Sequence, residues 1–129
     1  MTETVNWSIN VNIAQGPDIT VASKLDLDAY DKIAVVIANG ETKEVEVQPG
    51  DTDEVKLLLI TSDVYGDALT YELGGDTVKL DEAQLLVGSG GVGLLPAAPK
   101  MLKFSNGLGP DNDAKVQILV GRAALSDPP

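Results

Sequence analysis

The sequence predicts an all-β protein, an antiparallel β-sandwich or jelly roll of about eight to ten short strands. Three observations carry that expectation. Apolar and polar residues alternate cleanly in several stretches, above all over residues 5–13. Turn clusters of Gly, Pro, Asn and Asp recur at regular intervals. Almost nothing in the chain reads as helix. At 129 residues the chain is expected to form one domain over residues 1–125 with a disordered tail at 126–129.

Val5-Asn6-Trp7-Ser8-Ile9-Asn10-Val11-Asn12-Ile13 has the two-residue period of a strand with one wet and one buried face. Trp7, the only tryptophan, falls on the face expected to be buried. Gln15-Gly16-Pro17-Asp18 is a turn, and a second strand follows over 19–25. Asp26, Asp28 and Asp31 then cluster around Tyr30 in a connection. Residues 33–38 read as a central strand, apolar on both faces. Asn39-Gly40 ends it and signals a hairpin, because both residues tolerate positive φ. Residues 44–47 return with one charged face.

Pro49-Gly50-Asp51 turns into 55–61, the most apolar strand, which belongs mid-sheet. Short strands at 69–73 and 77–80 flank Gly74-Gly75-Asp76. Residues 80–85 suit one helical turn with Asp81 as its cap. The last strands are 101–105 and 115–121, separated by a loop at 106–111.

Composition removes much chemistry. The chain has no cysteine and no histidine, hence no thiol chemistry, no disulfide and no histidine-dependent triad or metal site. Asp and Glu outnumber Lys and Arg 20 to 9, a net charge of -11. Such a surface repels phosphate backbones, so nucleic acid is not expected as a partner. Met1-Thr2-Glu3-Thr4 does not resemble a signal peptide, and no apolar run reaches membrane-spanning length. Aromatic residues make up 4% of the chain, too few for the stacking platforms of a glycosidase or an ordinary sugar-binding module. The chain is expected not to be an enzyme.

Two features invite a site. The first is the uncharged stretch from Ala83 to Pro99 in this acidic chain. Its Gly88-Ser89-Gly90-Gly91-Val92-Gly93 formally matches a dinucleotide fingerprint, but Pro96 and Pro99 deny it the long helix that motif opens. The stretch is either a turn between buried strands or an apolar loop docked on a neighbouring subunit. In the second case Leu86, Val87, Val92, Leu94 and Leu95 supply the contact.

The second feature is the set of acidic loops. Asp26, Asp28 and Asp31 are a candidate calcium set, beside Asp51, Asp53, Glu54 and the pair Asp111 and Asp113. The plain reading is that they are turn and solubility residues. Asn6-Trp7-Ser8 matches a glycosylation sequon by coincidence, as its strand pattern suffices to explain it. Arg122, the only arginine, is read as a solvated strand end rather than an inter-subunit ion-pair partner.

Size, acidity, absence of cysteine and all-β pattern together resemble the small virion proteins of tailed phages, the capsid decoration and tail or baseplate accessory proteins. The uncharged 83–99 stretch and the alternating strands at 5–13 and 115–121 suit that resemblance. It spans the whole chain but rests on no specific motif, so it transfers no residue role. It implies a non-enzymatic structural protein, a homo-oligomer and by preference a trimer. Such a protein binds a protein lattice, without nucleic acid, membrane or cofactor, and resides in the cytoplasm or in a virion. The alternative is a monomeric, calcium-dependent module that binds a ligand or glycan.

Overall fold

A computed structural model of the chain describes residues 3–47, 53–97 and 99–124. The turn expected at 49–51 and the tail at 126–129 lie outside the described residues. The strands are β1 (Glu3–Asn12), β2 (Asp18–Leu27), β3 (Ala29–Ile37), β4 (Thr42–Glu46), β5 (Asp53–Ser62), β6 (Leu69–Leu73) and β7 (Asp76–Lys79). After β8 (Gln84–Val87) comes one short helix, α1 (Gly88–Val92), then β9 (Met101–Asn106) and β10 (Ala114–Ala124).

The protein is all-β, and its body is an antiparallel sandwich. One sheet has the order β3-β10-β5-β8 and the other β4-β9-β6-β7. Alternation within each strand explains the core between them. Ile37, Leu58, Ile60, Val116, Ile118 and Val120 point inward from the first sheet, and Val45, Leu69, Tyr71, Leu102 and Phe104 from the second. The rings of Tyr71 and Phe104 meet at 5.5 Å between centroids. A third sheet, of β1 and β2 alone, stands apart from both.

Several expectations change here. Asn39-Gly40 is not a hairpin, because β3 and β4 belong to different sheets. Gly40 does adopt positive φ, at 81°, but the turn carries the chain across the core. Asn106 holds that corner. Its Nδ2 donates to the carbonyls of Ile37 and Asn112, both at 2.8 Å, and its own carbonyl accepts from the Gly40 amide at 2.7 Å. β3 is an edge strand rather than a central one, with Ile33, Val35 and Ile37 facing inward and Val36 outward and exposed. β5 does lie inside its sheet, as its apolar run suggests. Gly74 and Gly75 form the expected tight turn between β6 and β7, with φ of 62° and 85°.

The helical turn sits one segment later than expected. Leu80 is held extended by its amide, bonded to the Leu69 carbonyl at 2.8 Å, and by its carbonyl, which accepts from Gly66. Gln84 then pairs with Ile60 in the sheet. Gly88, at φ 78°, releases the chain from β8 into α1. That helix has no side-chain cap and three glycines among its five residues, so propensity alone does not sustain it. Burial of Val92 and a hydrogen bond from Lys56 Nζ to Ser89 Oγ hold it in place.

Candidate interaction surface

β1 and β2 form a hairpin of two ten-residue strands, paired from Glu3 with Leu27 to Asn12 with Asp18. Residues directly opposite share a face. One face therefore carries Val5, Trp7, Ile9 and Val11 opposite Leu25, Ser23, Val21 and Ile19. The other is polar, with hydrogen bonds from Thr4 to Asp26 and from Thr20 to Asn10. At the tip, Gln15 adopts φ 60° and the Ile13 amide bonds the Pro17 carbonyl at 3.1 Å.

The apolar face is not buried as the alternation predicts. Trp7 is only half-buried, Ile9, Val21 and Ile13 are exposed, Val11 is 53% exposed and Ile19 63%. The physical reason lies in the pairing. Among the described residues β1 and β2 pair only with each other, and the hairpin meets the body at its base. There Leu27 is buried and the Asp28 amide bonds the Arg122 carbonyl at 2.9 Å.

At that base Leu27 packs on the outer face of the β3-β10-β5-β8 sheet. Gly121 makes room for it, since a Cβ there would overlap the Leu27 side chain and press on Leu57. Gly121 borders a register shift in the pairing of β10 with β5, as expected of a bulge at a strand glycine. Further along the same outer face, Lys32, Leu59, Thr61, Gln117 and Leu119 line a shallow depression. Leu85 and Val87 pair opposite Leu59 and Leu57 and extend this face on β8.

No family model, curated protein or solved structure matches this chain. Among the described residues no helix is long and apolar enough to cross a membrane.

The residues singled out in the 83–99 stretch are divided by the structure. Val92 is 7% exposed and belongs to the core, and Leu86 and Leu95 pack against that core. Val87 lies on the outer sheet face, half-buried. Leu94, 81% exposed, stands in solvent.

The acidic residues are likewise dispersed. Asp26 lies in β2, Asp28 in the link after it and Asp31 in β3. Among the described residues no group of three or more Asp or Glu is placed to hold a metal ion. Asp31 instead forms an ion pair with Arg122. Arg122 is no solvated strand end: it is 8% exposed, and its Nη1 donates to the Val47 carbonyl at 2.9 Å.

The hairpin face was missed as a surface because alternation reports only that one side of a strand avoids water. It is silent on whether the cover comes from the same chain. A usable signal was present in the two long adjacent strands, whose shared face has no charge between Val5 and Leu25.

Proposed function

We propose that this chain is a non-enzymatic structural protein that self-associates, by preference as a trimer, and binds a larger protein assembly such as a virion. We also propose that its sandwich is a jelly roll. The strand order supports this: sequence neighbours β3 and β4, β5 and β6, β7 and β8, and β9 and β10 take matching places in opposite sheets. Jelly rolls are frequent in capsid and lectin domains, though such kinship of architecture does not by itself assign a role.

One observation carries the functional reading. A long hairpin holds an uncharged apolar face in water on a chain of net charge -11. The side chains of Ile9, Val11, Ile13, Ile19 and Val21 leave on the order of 500 Å2 of apolar surface open, the upper range for the largest patch on a monomer. Surfaces of this kind are held for partners. The native mass, measured by size exclusion with light scattering, tests it. A stable trimer or larger ring is expected, and a monomer at high concentration overturns the reading.

A further inference from the structure

We infer that the hairpin of one copy lays its apolar face on the outer face of the β3-β10-β5-β8 sheet of a second copy. The inference rests on the self-association proposed above and names the two surfaces that meet.

The two surfaces continue a contact that the chain already makes. Within one chain, Leu27 at the hairpin base already packs on this sheet face, against Leu57 and over Gly121. Past that contact the hairpin runs on exposed through Val21, Ile9, Val11 and Ile19, and the sheet continues through the half-buried Leu59, Leu119 and Leu85. The same chemistry that seats the base therefore remains unused on each side.

Charge limits which surfaces two copies can bring together. Two chains of net charge -11 repel one another, which disfavours contact through most surfaces. Between Val5 and Leu25 the hairpin face is uncharged. The depression it would enter is bordered by Lys32, and Lys115 shares that outer face opposite Val36. Neither lysine forms an ion pair among the described residues.

Dimensions agree as well. A ten-residue strand spans about 33 Å, enough to cross a neighbour's sheet. The open apolar area of the hairpin is more than half of the roughly 800 Å2 that one partner contributes to a standard interface. Because hairpin and sheet are different surfaces, the contact is heterologous and closes into a ring where the rotation permits.

The chain has no cysteine, so thiol cross-linking reads the contact directly. Ile9→Cys chains and mass-tagged Leu119→Cys chains are co-expressed, purified and treated with a short bismaleimide. Cross-linked pairs containing one chain of each kind are expected to dominate. Pairs of two Ile9→Cys chains would mean that hairpins face each other, which overturns the inference. An oligomer without mixed pairs overturns it too. A wild-type monomer defeats the self-association reading itself, a result that the mass measurement distinguishes. As a second check, Val11→Asp at an exposed position should keep the far-ultraviolet dichroism of the wild type and lose oligomeric mass. Unchanged mass contradicts the inference.

Discussion

Leu27, the last residue of β2, lies over Gly121 of β10 so closely that a methyl group on that glycine has no room. This contact is where the hairpin joins the body. It sets the direction in which the hairpin leaves it.

Gly121→Ala is therefore expected to displace Leu27 and to destabilise the chain by about 1–3 kcal/mol, the usual range for overpacking. Urea unfolding should show a lower midpoint, and limited proteolysis should cut sooner near residues 25–29. An unchanged midpoint would mean that Leu27 is free to move aside.

Arg122 binds the Val47 carbonyl and pairs with Asp31. Arg122→Ala leaves that carbonyl buried without its donor, and about 2–3 kcal/mol of stability should be lost. Asp31 is 56% exposed along its side chain, so Asp31→Asn should cost less than about 1 kcal/mol. Equal losses in the two variants would place the energy in the ion pair rather than in the carbonyl.

Asn106→Ala removes hydrogen bonds to Ile37 and Asn112 and the acceptor for the Leu108 amide. A loss of about 2–4 kcal/mol is expected, because several buried polar groups lose partners together. Thermal unfolding measures it. A loss no greater than that of an exposed substitution would show that water replaces the side chain.

Tyr71 is buried, which pushes its phenol up from 10.0 to about 12. Between those values the unfolded chain has lost this proton while the folded chain keeps it, so stability falls as pH rises. Below pH 10 that contribution is fully present. Tyr71→Phe also loses the hydrogen bond to Gln84 Oε1 at 2.7 Å, so its baseline is lower. Its melting temperature should nonetheless fall less steeply from pH 10 to pH 12. Parallel slopes would assign the alkaline loss to other groups.

The strands themselves were legible because period-two alternation depends only on which side of the backbone meets water. Residues 69–73 and 77–80 around Gly74-Gly75 show this at its plainest. Sheet membership was not legible. Asn39-Gly40 supplies a turn whatever it joins, and Asn106, far along the chain, decides that it joins two sheets. The uncharged 83–99 stretch drew attention as a surface, yet Val92 shows that an apolar glycine-rich segment serves equally well to close a core. The hairpin presents the opposite case. Its pattern reads as half-buried, and only the pairing shows that the described residues provide no cover.

β10, the last strand of the described chain, lies between β3 and β5 in its sheet. Until it is made, β3 has no neighbour in that sheet and stands unpaired from β5 and β8. The hairpin pairs only residues close in sequence, the kind of contact that closes fastest. The apolar hairpin face is therefore encoded ahead of the sheet face that the inference pairs it with. If hairpins dock as inferred above, a neighbour can receive one only after its own β10 has joined β3 to β5, so strand order sets the earliest point of assembly.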